Sequence, residues 1–163
     1  METLFFAYYR QHNLRIKVGR IFNAIGPRMH PNDRRVVSKL LSALKNEPIT
    51  PYGDGSQSRS LCYVDDLIEA FVRLIDTPND FVGPMNLGNP NKFTIRQLAE
   101  TVIELTGARS ELTFLLLPPD DPKQRQPDIT LARETLVWAP TNGLRDGLTR
   151  IIEHFDPLLR AIK

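Results

Sequence analysis

Two arginines are the strongest candidates for chemistry in this chain. Arg59 sits in Gln57-Ser58-Arg59-Ser60, just after a glycine-bearing turn. A guanidinium presents a planar fork of N–H donors that fits a phosphate or a carboxylate and stays charged at any working pH. The competing reading is an ordinary exposed arginine. Arg125 lies in Lys123-Gln124-Arg125-Gln126-Pro127, a turn-like segment between acidic and proline-rich residues, and offers a second fork. Lys123 beside it reads equally as a solvated charge. Two such groups serve one anion only if the fold brings them within a few ångströms of each other. Tyr52 offers an aromatic face on which a base could stack, or a ring to pack against the following helix. Asn23 ends a strand-like run, and open α/β sheets bind ligands at the carboxyl ends of their strands. Its amide can bond a diphosphate or a sugar, or simply shape a turn. His12, His154 and the single cysteine, Cys62, have no metal-ligand spacing. Cys62 and Trp138 read as core packing.

The elements that must position these residues follow from periodicity and punctuation. Leu4–Gln11 reads as a helix. Arg15–Asn23 carries Ile16 and Val18 on one face and then Ile21-Phe22, a pattern for a buried parallel strand, and Gly26-Pro27 turns the chain. Over residues 34–45, Val36, Val37, Leu40, Leu41 and Leu44 share a helical stripe, with Asp33 placed to cap it. Pro51–Gly55 is turn chemistry before an extended piece at Ser60–Tyr63. Asp65 is expected to cap a second helix that turns Leu67, Ile68, Phe71, Val72 and Ile75 inward. Pro84–Gly88 reads as a short strand. Thr94-Ile95-Arg96-Gln97 is a capping box, and Gly107 ends the helix it opens. Leu112–Leu117 is an apolar strand stopped by Pro118-Pro119. Thr130–Val137 should be a short helix, and Leu144–Phe155 a longer one interrupted or ended at Pro157.

Strands alternating with helices give an α/β fold. The length of 163 residues fits one core, and 41% apolar with 25% charged residues is ordinary for a globular chain. A net charge of +2 gives no footprint for nucleic acid, and no apolar run reaches membrane-spanning length. A lone cysteine and a start without a basic n-region lead us to expect a cytoplasmic chain. A central strand needs partners on both edges, and few segments can flank Arg15–Asn23, so the sheet is expected to be incomplete.

Several blocks, in order, resemble the extended short-chain dehydrogenases that act on nucleotide sugars, the NAD-dependent epimerase/dehydratase family. They are Arg20–Arg28 (RIFNAIGPR), Tyr52–Ser60 (YGDGSQSRS), Tyr63–Leu67 (YVDDL) and Asn86–Pro90 (NLGNP). Met29–Asp33 (MHPND), Arg35–Ser38 and Asp120–Ile129 (DDPKQRQPDI) are most similar to the UDP-glucuronate decarboxylase branch. The resemblance covers essentially the whole chain and matches it to the carboxy-terminal half of those enzymes. It implies a Rossmann-type fold, with 1–28 closing the dinucleotide-binding domain. Residues 29–163 would then form mainly the smaller substrate-binding domain, with one returning strand and helix near 60–90. The intact enzymes would use NAD to oxidise C4 of UDP-glucuronate, lose carbon dioxide from the resulting β-keto acid, and return hydride to give UDP-xylose.

On that resemblance Asn23, Val37, Tyr52, Arg59 and Arg125 would contact a UDP-sugar, with Arg59 also supporting catalysis. Ala24, His30 and Arg35 would approach the cofactor. The glycine-rich dinucleotide loop and the Tyr-x-x-x-Lys pair do not occur in these residues, so the chain alone is expected to bind no NAD and to be inactive. Alternatives are a piece of a 4-epimerase or 4,6-dehydratase, or a non-catalytic module that self-associates through its first helix. Three departures stand inside the matching blocks. Ala24-Ile25 replaces Thr followed by Tyr or Phe, removing a hydroxyl that would face the cofactor. Arg34 replaces a glycine, and Val137-Trp138-Ala139-Pro140 replaces Gly-Trp-Glu-Pro.

Overall fold

The computed structural model describes residues 1–30, 37, 40–116 and 124–160, without the side chains of Gln124, Arg125 and Arg160. In chain order the elements are α1 (Glu2–His12), β1 (Gly19–Ile21), β2 (Ala24–Ile25), a 3-10 turn (Leu41–Lys45), β3 (Ser58–Ser60), β4 (Cys62–Tyr63), α2 (Val64–Ile75), β5 (Met85–Leu87), β6 (Lys92–Thr94), α3 (Ile95–Thr106), β7 (Gln124–Arg125), α4 (Thr130–Leu136) and α5 (Leu144–Arg160). The fold is α/β. β1 pairs with β5 and β2 with β4, both in parallel, while β3 lies between antiparallel β6 and parallel β7.

The β2–β4 ladder is a wall between two cores. Register partners Ile25 and Tyr63 face one core, packed with Leu40, Leu98, Leu148 and Ile151. Ala24 and Cys62, the next pair along, face the other, with Leu74, Met85, Leu87 and Trp138. Strand side chains alternate, so adjacent residues serve opposite interiors. Each large apolar side chain fully buried this way contributes about 1.5–3 kcal/mol.

The expected strand at Arg15–Asn23 is shorter, and it is not buried throughout. The ladder with β5 covers Gly19–Ile21 on one edge, with Val18 and Phe22 hydrogen-bonded at its ends, and Ile21 is 56% exposed. Lys17 stands just before the strand, and its ammonium donates to the carbonyls of Thr77, Pro78 and Phe81 and to the Thr77 hydroxyl, at 2.6–3.0 Å. That side chain neutralises the carbonyl-rich turn after α2. Arg20 makes a two-pronged ion pair with Glu2 that ties α1 to β1, and it holds the Glu2 carboxyl below its usual range.

α2 starts two residues earlier than expected and is not capped by Asp65; its N-cap is Tyr63, without a side-chain bond. Asp65 instead lies 3.8 Å from Arg150 on the surface. The inward face is also turned: Asp66, Leu67, Ala70 and Leu74 are buried, whereas Ile68, Val72 and Ile75 are more than half exposed. Asp66 explains the rotation. Its carboxylate accepts from the amide and hydroxyl of Thr141 (3.1 and 3.0 Å) and from the amide and side chain of Asn142 (3.1 and 2.9 Å). A buried charge needs such a complete set of donors.

The capping box of α3 is formed in both directions, Thr94 to Gln97 and back, and Gly107 closes the helix in the left-handed region at φ 64°. α5 runs on through Pro157 to Arg160, where an interruption or an end had been expected. Continuing the helix keeps Leu159 against the core already entered by Leu148, Ile151 and Phe155. The expected strand at Leu112–Leu117 is reduced to single parallel bridges, Ile49 to Leu112 and Tyr52 to Leu115; Leu116 is 95% exposed and Leu117 is outside the described residues. The stripe at 34–45 is described only for Val37 and from Leu40 onward, where the chain forms the 3-10 turn.

Candidate functional site

Arg59 occupies the middle of β3, half-buried, with Phe93 opposite on β6 and Arg125 opposite on β7. Two arginines distant in sequence are thus register partners on adjacent strands, whose spacing is about 4.7–4.9 Å. The Arg59 guanidinium donates to the Ser58 carbonyl at 2.9 Å. The pairing of positions is what one anion held by two forks requires.

Asn23 is brought to the same strand. Its backbone is left-handed at φ 40°, a conformation asparagine tolerates, and this lets the chain step from β1 into β2. The side-chain amide donates to the Ser60 carbonyl at 2.9 Å, and the Asn23 carbonyl accepts from the Cys62 amide at 3.1 Å. Asn23 therefore fixes the residue after Arg59 in place. Beside it, the Ser60 hydroxyl is fully buried, with no hydrogen-bond partner among the described residues.

Tyr52 lies in the turn that precedes β3. Its ring is partly exposed, and the backbone around it is held firmly: Leu115 donates to the Pro51 carbonyl (2.8 Å), and Gly53 donates to Leu115 (2.7 Å). Asp54 closes the turn by accepting from the amide and hydroxyl of Ser56, which holds its carboxyl below the ordinary range. The amides of Arg96 and Ile95 donate to the Gly55 and Gln57 carbonyls, pinning the turn to the start of α3. Arg96 also lies over the Phe114 ring, 4.7 Å from its centroid.

Among the other expected site residues, Ala24 directly follows Asn23. Val37 is 2% exposed and packs in the first core. Ala24 lies on β2 against the second core, and His30 is exposed after the Gly26-Pro27 turn. Arg35 and Arg34 lie outside the described residues, as does the side chain of Arg125. Asp66, which carries the most complete hydrogen-bond set in the region, was passed over in favour of Asp65. Its neighbour Tyr63 holds the clue: with Tyr63 buried, the helix phase set from there turns Asp66 inward.

A depression of about 410 Å³ opens beside β7, lined by Pro90, Gln126, Pro127, Asp128, Ile129, Thr130 and Arg133. Gln126 bridges it, donating to the Pro90 carbonyl at 2.8 Å. No group of three or more metal-ligating side chains occurs among the described residues, and no helix there is long and apolar enough to cross a membrane.

Comparison with known proteins bears on the family and the fold. Residues 1–88 match the model of the NAD dependent epimerase/dehydratase family. UDP-glucuronic acid decarboxylase 5 of Arabidopsis thaliana is 48% identical over 155 residues, 94% of this chain and 45% of that protein. UDP-glucuronic acid decarboxylase 1 of Xenopus tropicalis is 43% identical, again over 94% of this chain but 36% of its own length. The chain thus spans less than half of the curated relatives it matches. Among solved structures, UDP-glucuronic acid 4-epimerase from Bacillus cereus, bound to UDP-glucuronic acid and NAD, superposes with a TM-score of 0.89 at 30% identity, covering 96% of this chain and 50% of that one. UDP-glucose 4-epimerase from Thermotoga maritima, with UDP-glucose, gives 0.90 at 29% identity over 97% of this chain and 51% of its own. With the ordered motifs, the Rossmann-like α/β fold and these matches in agreement, the chain belongs to the NAD dependent epimerase/dehydratase family.

Proposed function

We propose that these residues form the nucleotide-sugar-binding portion of a UDP-glucuronate decarboxylase-like enzyme. The observation that carries the reading is the register pairing of Arg59 with Arg125 across β3 and β7, beside the strand that Asn23 anchors. In this reading the two arginines hold the diphosphate, and Tyr52 offers its ring to the uracil. Positive charge from Arg59 also lies near the sugar, where it stabilises developing negative charge and fixes the substrate's position. Two of the solved structures it resembles are 4-epimerases, so their overall shape does not separate the two chemistries; the decarboxylases named above have the higher sequence identity.

The intact relatives' NAD supplies hydride transfer when bound. The glycines among the described residues do not form a cradle for it. Gly53 and Gly55 sit in a turn that leads into β3 and opens no helix, so they lack the helix amino terminus on which pyrophosphate rests. Ala24 turns a methyl group toward the second core. The contribution of this chain is therefore binding and orientation of the sugar nucleotide.

Titration calorimetry with UDP, UMP and uridine tests the reading. UDP should bind more tightly than uridine, and Arg59→Ala should weaken UDP by roughly 10- to 100-fold, the equivalent of losing about 1.5–3 kcal/mol of charge-assisted hydrogen bonding. Equal affinity for UDP and uridine, or an unchanged R59A variant, would remove the diphosphate assignment. The 163 residues purified alone should yield no UDP-xylose from UDP-glucuronate and NAD.

A further inference from the structure

We propose that Gln57 is the positioning residue of Tyr52, and that Gly53 is glycine in order to admit it. The proposal rests on the reading of Tyr52 as part of the nucleotide site. Gln57 is only 5% exposed, and its side-chain amide donates to the Tyr52 carbonyl at 3.0 Å. That contact completes a set. The Leu115 strand engages the residues on either side of Tyr52, at the Pro51 carbonyl and the Gly53 amide, and leaves the Tyr52 carbonyl to Gln57. A β-carbon on Gly53, whose φ is +70°, would stand 1.8 Å from the Gln57 side-chain nitrogen, so any other residue there expels the amide.

The arrangement is not the one that favours stability most. The Gln57 Oε1 is buried with no hydrogen-bond partner among the described residues, a destabilising condition that an apolar side chain of similar length avoids. Reversing the amide would relieve nothing, because it would set Oε1 against the Tyr52 carbonyl. A buried glutamine whose Oε1 has no partner among the described residues, and whose amide bonds the backbone of the exposed aromatic residue, acts on that residue's placement.

Gln57→Met separates the two roles, since methionine keeps the length and loses both polar atoms. Three readouts are taken on the 163-residue chain: thermal melting, 13C relaxation and chemical shift of the Tyr52 ring, and UDP affinity. The expected result is a melting temperature unchanged or raised, a Tyr52 ring that becomes more mobile while Tyr63 does not, and UDP binding weakened roughly 3- to 10-fold, the scale of one hydrogen bond. Gly53→Ala should loosen Tyr52 in the same way. An unaltered Tyr52 ring in the Q57M variant overturns the proposal, as does a loss of stability with the ring unmoved. The ring measurement needs no ligand. If Tyr52 loosens but the parent chain binds no UDP, or Tyr52→Ala binds it equally well, the nucleotide reading fails while the positioning role stands.

Discussion

Val137 should be a worse residue than glycine at its own position. It follows α4 in the left-handed region, φ 48° and ψ 43°, which a β-branched side chain adopts only under constraint. The constraint is visible on both sides. Arg73 donates to the carbonyls of Leu136 and Val137 at 3.1 and 2.6 Å, and Trp138, the next residue, is buried in the second core. The valine side chain itself is 81% exposed, so its removal forfeits little packing. Left-handed backbone costs an L-residue about 1–2 kcal/mol. Glycine gives back about 0.4–1 kcal/mol through the larger entropy of its unfolded chain. Val137→Gly should therefore stabilise by about 0.5–1 kcal/mol, raising the melting temperature by about 1–4 °C for a chain of this size. Val137→Ala, which removes the branch and keeps the positive φ, should recover less than V137G. Calorimetry or circular-dichroism melts of the three proteins decide the matter. A lower melting temperature for V137G, or one that V137A equals, would refute the strain argument.

Asp66→Asn should cost about 2–4 kcal/mol in urea titration, because an amide nitrogen would meet donors from Thr141 or Asn142 where a carboxylate now accepts; a loss under about 1 kcal/mol would show that this set is not the clamp it resembles. Desolvation first, and then the Asp66 carboxylate, push the Cys62 thiol up to about 12. The fold therefore favours the protonated thiol. This stability is fully present below the unfolded thiol's range near 8.5–9 and is lost as pH rises toward 12. The urea midpoint should fall between pH 8 and 10.5 by more in the parent than in Cys62→Ala, and thiol reagents should label Cys62 only on unfolding. α1 buries none of its residues, Leu4, Phe5 and Tyr8 are exposed, and β1 shows one paired edge among the described residues. Self-association through α1 and β1 is the expected result, read by light scattering across a dilution series; a cooperatively melting monomer at every concentration would contradict it.

Local signals were legible and distant ones were not. The Thr94–Gln97 capping box, the Gly107 stop and the short helix before Trp138 each depend on a few neighbouring residues, and each was readable from them. The orientation of α2 was not, because its apolar residues wrap more than half the helix. A burial stripe through Ile68, Val72 and Ile75 and one through Leu67, Ala70 and Leu74 fit the pattern comparably. Only the distant Thr141-Asn142 donors, which require Asp66 inward, decide between them. Lys17 was hidden in the same way: nothing near it reveals the carbonyls it meets after α2. For the proposed site, residue type together with the flanking motifs singled out Arg59, Arg125 and Asn23 as candidates. Their neighbourhood depended on parallel strand pairing, which leaves no short-range mark. Gln57 was overlooked because nothing in the residues next to it shows that its side chain turns back to the Tyr52 carbonyl, into the space left by the missing β-carbon of Gly53.

The ladder of two residues per strand between the cores has a consequence for how this chain can change. At Ala24, Ile25, Cys62 and Tyr63, a substitution alters one interior and can be absorbed by repacking on that side alone. A change in the number of residues cannot. Adding or removing one position within β4 reverses every side it presents, sending a phenol ring into the space of a thiol and the thiol into the space of a ring. Both interiors then fail together, one overfilled and the other hollow. The segment between Ser60 and Val64 can therefore vary in letter and not in length.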